Sequence, residues 1–303
     1  MSYPEGGMTI FEAIEYFLSD HRRLGSRPAT IQWHRTVLNL LLKGYFEAPV
    51  EALNKPLMVK VLDRNVSTNT KANYEKCLRA FTRALYRDGL IPRFPFDGMK
   101  RPREEYRPKK PLTQEEINRL FAVATADPRY RLRNRAMLLV LLQAGLRASE
   151  LARIQVEDVD WENAAIIVRG KTGDAFVPMS HDVYRAMRAY LSTERRGQSR
   201  YFFVTGKRQV NGRSVSRWVQ RLARRAKLTR PIGPHLLRHT FATGYLKAGG
   251  DAFRLQRLMR HKTASMTQRY LNLAMDDLAV DLNHRVLRPN EARSPAKRKN
   301  NFA

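Results

Sequence analysis

A proline-punctuated, charged break divides this sequence about one third of the way along. Between Gly98 and Pro111 it reads GMKRPREEYRPKKP, with no hydrophobic periodicity. Proline lacks the backbone donor and biases the residue before it towards extended conformations, so neither a helix nor a strand should run through this stretch. It reads as an extended linker. A chain of 303 residues divided in this way should form two domains. We place the first at residues 1–100, the linker at 101–111 and the second at 112–285. Residues 286–303 form a basic, apolar-poor tail expected to be disordered.

Before the break the apolar spacing is helical. Thr9 and Glu12 have the form of a capping box, and Ile10, Ile14, Phe17 and Leu18 fall on one face behind it. A second helix should follow Arg27-Pro28 and bury Ile31, Val37, Leu38, Leu41 and Leu42. Asn54 should open a third, bearing Leu57, Val61 and Leu62. The longest should run from Ser67 to Asp88, end at Gly89 and carry Tyr74, Leu78, Phe81 and Leu85 as its core stripe. The single Cys77 sits beside this stripe as a core thiol and can form no intramolecular disulfide, which suits a reducing cytosol. Lys76, Arg79, Arg83 and Arg87 recur along one side of the same helix. They read either as a solvated face or as contacts to phosphates.

After the break the pattern is mixed. Thr113 and Glu116 form a second capping-box pattern. The nearly continuous apolar run from Arg135 to Gln143 reads as a central core helix stopping at Gly145. Alternation then marks Ala165–Arg169 and Ala175–Pro178 as strands around the turn Gly170-Lys171-Thr172-Gly173. Residues 195–230 hold twelve basic side chains and no acidic one. Among them Arg213, Arg217, Arg221 and Arg224 keep helical spacing opposite Val215, Trp218, Val219 and Leu222, the arrangement of a helix lying on a polyanion. The expected fold is mainly α with a small β-sheet: an all-helical N-terminal domain followed by an α+β domain.

The chemistry gathers between Gly233 and Tyr270. Gly233-Pro234 is a helix start, and His235 and Arg238, three apart, share one face of that helix. Gly249-Gly250 ends it. Asp251 can cap a following helix that delivers His261, with Tyr270 nine residues further on. Arginine forks match phosphate oxygens, and a tyrosine hydroxyl can attack phosphorus without a metal, so this set suits a phosphodiester. Either motif alone would read as a satisfied polar patch or a half-buried aromatic.

Taken together, HLLRHTFAT at 235–243, RHK at 260–262, Tyr270, the segment AGLRASEL at 144–151 and Lys171 in a hairpin turn resemble the tyrosine recombinase (phage integrase) family. The resemblance covers roughly residues 112–285, and the N-terminal part resembles the family's core-binding domain more loosely. It implies a catalytic set of Arg147, Lys171, His235, Arg238, His261 and Tyr270. In that set Tyr270 forms a 3′-phosphotyrosyl link, Arg147 and Arg238 brace the phosphate, Lys171 protonates the leaving 5′-oxygen, His235 moves the tyrosine proton and His261 hydrogen-bonds the phosphate. No ATP, metal or other cofactor is required. It also implies a C-shaped clamp on double-stranded DNA and a homo-tetramer on paired sites. The apolar segment after Tyr270, from Leu271 to Leu282, would dock on a neighbouring subunit. His239, about 100° round the helix from Arg238, is expected to pack rather than react. The chain departs from the family pattern at Arg260, where a small residue, often glycine, is usual, and in the shortness of the loop after Lys171.

Charge agrees with a nucleic-acid partner. The chain carries 56 basic and 28 acidic residues, a net +28, concentrated after residue 105. No apolar run approaches membrane-spanning length, residues 1–7 have no secretory pattern and no lipidation signal accompanies the charge. A nucleoid-associated cytoplasmic protein with no membrane partner is therefore expected. Three rival readings remain. The acids Glu157, Asp158, Asp160 and Glu162 could bind Mg²⁺ in a metal-dependent nuclease or transposase. The same tyrosine chemistry could relax supercoils in a type IB topoisomerase. A non-catalytic, sequence-specific DNA-binding protein is the third.

Overall fold

The computed structural model describes residues 7–101, 109–169, 173–206 and 208–260, together with positions 263, 267 and 270. The chain divides into two compact units, Met1–Arg107 and Pro108–Ala303, with the change falling inside the proline-rich break.

The first unit is helical. Helix α1 (Ile10–Arg23) starts on the Thr9/Glu12 capping box, with Glu12 accepting from the Thr9 N–H at 2.8 Å. Helices α2 (Pro28–Leu42), α3 (Lys55–Leu62) and α4 (Thr68–Arg87) follow, α3 capped by Asn54 and α4 by Ser67. Their apolar stripes meet in one core that includes Ile14, Phe17, Leu38, Met58, Leu78 and Phe81. His34 lies in this core, with Nδ1 at 3.3 Å from the Cys77 sulfur. Burial, then the charge of His21, pushes the His34 ring down to about 4, and burial pushes the Cys77 thiol up to about 12. Cys77 is therefore an unreactive core thiol.

The second unit is built round a helix hidden on nearly every side. Helix α5 (Gln114–Ala124) opens on the Thr113/Glu116 capping box, and α6 (Arg131–Gln143) buries every residue from Ala136 to Leu142. The four-residue helix α7 (Ala148–Leu151) follows after Gly145. A three-stranded antiparallel sheet comes next: β1 (Val159–Asp160), β2 (Ala165–Val168) and β3 (Ala175–Pro178) in that order, with Ile166 opposite both Val159 and Val177. Helix α8 (His181–Ala189) and a small pair, β4 (Val204–Thr205) and β5 (Arg208–Gln209), lead to α9 (Gly212–Arg225), α10 (Pro234–Lys247) and α11 (Ala252–Met259). One apolar cluster runs from Leu112 through α6, the sheet and α8 to Leu237, and a smaller one joins α10 to α11.

Strand β1 extends the expected hairpin, and the acids around it hold that turn together. The Asp160 carboxylate accepts N–H bonds from Glu162 at 3.1 Å and Asn163 at 3.0 Å. Buried Asp158 accepts from the Gln155 N–H and from Arg169 Nε, both at 2.8 Å, and Glu157 pairs with Arg169 at 2.7 Å. Among the described residues no three His, Cys, Asp or Glu side chains converge as a metal site would require. No helix among them is long and apolar enough to cross a membrane.

Candidate active site

The site assembles where the C-terminal ends of α6 and α11 meet the starts of α7 and α10. Gly145 makes this junction possible. Its φ of +60° is left-handed, and a Cβ there would lie 2.4 Å from the Phe241 ring of α10. Backbone and ring therefore touch, and the Gly145 carbonyl accepts a hydrogen bond from Arg238 Nη1. Arg238 Nη2 donates to the carbonyl of Met259, the last residue of α11. The guanidinium is thus held by two backbone oxygens from different elements, and its side chain is only 5% exposed. Burial, then the charges of Arg147 and Arg260, lowers it to about 10, with Glu150 and Tyr270 pulling the other way. It stays protonated at neutral pH.

Glu150 ties the arginines together. Its two oxygens accept from Arg147 Nη1 and from Arg260 Nη2, each at 2.6 Å, and Oε2 also accepts the Arg147 backbone N–H at 2.8 Å. Arg238 Nη1 stands 3.9 Å from Oε2. Burial acts to raise the Glu150 carboxyl, but Arg260 and the hydrogen bonds from Arg147 outweigh it and bring the carboxyl down to about 2. A buried carboxylate with this many donors is fixed in place. It lies three residues after Arg147, within the motif that suggested that arginine, and sequence reasoning gave it no role.

Arg260 follows α11 in left-handed geometry (φ 51°, ψ 47°), a helix-end position suited to glycine. A non-glycine residue there is strained by roughly 1–2 kcal/mol. Its side chain donates Nη1 to the Leu258 carbonyl at 2.8 Å and Nη2 to Glu150, while Nε is buried without an acceptor among the described residues.

His235 occupies the first turn of α10. Desolvation, then the positive charges of Arg238, Arg147 and Lys109, holds its ring below the ordinary imidazole range, so it is neutral and able to accept a proton at pH 7. Tyr270 packs against the cluster of Ala242, Leu246, Leu255 and Met259, close enough to Arg238 to act on its charge. Its ring centre is 5.3 Å from that of His239. His239 donates Nε2–H to the Lys109 carbonyl at 2.6 Å, so it links the start of this unit to the tyrosine's surroundings. Arg147, His235, Arg238 and Tyr270 therefore belong to one neighbourhood. Lys171 and His261 lie outside the described residues.

The two basic rows differ. Arg213, Arg217, Arg221 and Arg224 are all exposed along α9 and, among the described residues, make no ion pair. Gly212 brings this helix against α7, since a Cβ there would meet the Ser149 backbone at 3.2 Å. On α4, Lys76 is exposed, but Arg79 is occupied by Glu75 at 2.6 Å and the Met99 carbonyl at 2.8 Å, and it lies over the Phe96 ring. Arg83 stacks on Phe94 at 3.9 Å, and Arg87 pairs with Asp88. Lys76, Arg79, Arg83 and Arg101 still line a cavity of about 470 Å³ in the first unit.

Comparison with known proteins agrees with this geometry. The model of the phage integrase family matches residues 110–277. The tyrosine recombinase XerC of Lacticaseibacillus casei is 33% identical over 210 residues, covering 66% of this chain and 70% of its own length. That of Listeria innocua is 30% identical over 275 residues, covering 88% and 87%. Among solved structures, a lambda integrase dimer bound to a COC′ core site superposes with a TM-score of 0.73 at 18% identity, over 87% of this chain and 95% of that one. Over more than half its length, including both arginine motifs and the tyrosine, this chain belongs to the phage integrase family and is a tyrosine recombinase.

Proposed function

We propose that the chain cuts and rejoins duplex DNA at specific sites through a covalent link between Tyr270 and a 3′-phosphate. The observation that carries this reading is the pair Arg147 and Arg238 held beside one carboxylate, with the Tyr270 phenol acting on the charge of Arg238. The N–H groups of these two guanidiniums that Gly145, Met259 and Glu150 leave free would donate to the non-bridging oxygens as charge accumulates on them. Each such donor is worth about 10²–10³ in rate in comparable oxyanion sites. Tyr270 Oη attacks phosphorus and its proton passes to neutral His235. The P–O5′ bond breaks, and Lys171 gives the leaving oxygen a proton. His261 donates to the phosphate. The roles of Lys171 and His261 rest on the family resemblance. The ester keeps the bond energy, so a second 5′-hydroxyl can attack and release the tyrosine, with no ATP or metal consumed.

The exposed arginines of α9 would contact the DNA backbone or groove, and Lys76 with the cavity on α4 would supply a second contact from the first unit. Exchange between two duplexes opens four strands, and each protomer holds one nucleophile, so four copies on paired sites would act together. The DNA-bound dimer of lambda integrase supports an oligomeric assembly. A nicked suicide duplex tests the reading. In EDTA the protein should form an adduct that survives detergent. An adduct that appears only with Mg²⁺, or none at all, would return the reading to a nuclease or a non-catalytic binder.

A further inference from the structure

The residue that departs from the family pattern, Arg260, is bound into the site. It occupies left-handed backbone that glycine would adopt more easily, keeps Nε buried with no acceptor among the described residues, and still places Nη2 on the oxygen of Glu150 that lies nearest Arg238. The cost of that arrangement asks what the contact achieves. Glu150 is ionised between Arg147 and Arg238, and a carboxylate there offsets one of the two positive charges that the phosphate needs. With Arg260 the described cluster holds three guanidinium groups and one carboxylate, a net charge of +2. Without it the net is +1. A phosphodiester carries one negative charge, and attack by an oxygen that loses its proton to His235 adds a second.

We propose that Arg260 is a positioning residue for strand cleavage: it neutralises Glu150, so that Arg147 and Arg238 meet the scissile phosphate with both charges intact. The inference rests on the cleavage reading above. Acting through Glu150 rather than on the phosphate, Arg260 should contribute less than a direct donor, about tenfold to a hundredfold in the cleavage step. Because its effect is on the charge that develops during reaction, it should appear in the rate at saturating DNA and not in affinity.

The test uses the full chain and a nicked duplex of a site selected from random DNA by the unaltered protein. Single-turnover adduct formation is measured for the parent, Arg260→Gly, Arg260→Lys and Arg260→Gln, alongside duplex binding and melting temperature. Arg260→Gly should bind DNA within about threefold of the parent and cleave about tenfold to a hundredfold more slowly at saturation, with Arg260→Lys recovering most of the rate. Arg260→Gln keeps the side-chain stem without the charge and carries the same expectation if the glycine variant does not fold. Cleavage by the uncharged variants within threefold of the parent overturns the inference, as does a lysine variant as slow as glutamine. A parent that forms no adduct overturns the cleavage reading instead.

Discussion

Replacing Glu150 with Gln removes one charge from a buried site shared by three guanidinium groups and keeps its shape. The carboxyl lies at about 2 in the folded chain against an ordinary 4.5, because Arg260 and Arg147 outweigh the effect of burial. At 1.36 kcal/mol per unit this difference is worth about 3 kcal/mol at neutral pH. The folded value lies below the unfolded one, so the contribution is complete above pH 4.5 and is lost as the pH falls towards 2. Linkage puts the loss at about 1 kcal/mol at pH 4 and about 2 kcal/mol at pH 3. Urea unfolding followed by the fluorescence of Trp161 and Trp218, in a Trp33→Phe background, reports on the catalytic unit alone. Subtracting Glu150→Gln from its parent at each pH cancels the other carboxylates. The gap should be about 3 kcal/mol at pH 7 and about 1 kcal/mol at pH 3. A gap that stays constant over this range would refute the view that the arginines are bound by the charge of Glu150.

The helical unit should respond to acid at a higher pH. His34 lies at about 4 because it is buried, so stability is complete above the ordinary imidazole value and falls by up to about 3 kcal/mol as the pH drops from 6.5 to 4. Denaturation of His34→Leu, read through Trp33, should lack that slope. Gly145→Ala meets both left-handed strain and the Phe241 ring, and should cost about 3 kcal/mol in urea melts of the catalytic unit. Because the Gly145 carbonyl holds Arg238, cleavage should fall as well, and Phe241→Leu should restore part of the stability. Alanine at Arg213, Arg217, Arg221 or Arg224 should shift stability by less than about 0.5 kcal/mol, since all four are exposed and none makes an ion pair among the described residues. Each residue that contacts a phosphate should lower the slope of log K against log salt by about 0.9, measured by titrating duplex DNA at several ionic strengths.

Much of this architecture can be read from local chemistry. Thr9 with Glu12 and Thr113 with Glu116 form the capping boxes their spacing announces, and Gly233-Pro234 starts α10. Such signals reach only three or four residues, which is the distance over which a side chain can satisfy a helix end. The bond from Arg260 to Glu150 spans 110 positions, so the unusual arginine is visible in the sequence and its partner is not. The α4 row shows the same limit. Its helical period is plain, but Arg79 and Arg83 are covered by Phe96, Phe94 and Met99, which fold back from the segment after the helix. Strand β1 is two residues long, too short for alternation to reveal, and shows itself only in its pairing of Val159 with Ile166 and Asp160 with Ala165. The burial of Arg238 is likewise tertiary, set by carbonyls of Gly145 and Met259 that no spacing rule links to it.

Trapping the parent protein on a nicked duplex, digesting the adduct and sequencing the peptide that retains a nucleotide identifies the nucleophile. The labelled peptide should be the one containing Tyr270, joined to a 3′-phosphate with the 5′-hydroxyl released, and Tyr270→Phe should give no adduct. A nucleotide carried by any other residue, or strand exchange that persists in Tyr270→Phe, would contradict the assignment of Tyr270 as that nucleophile.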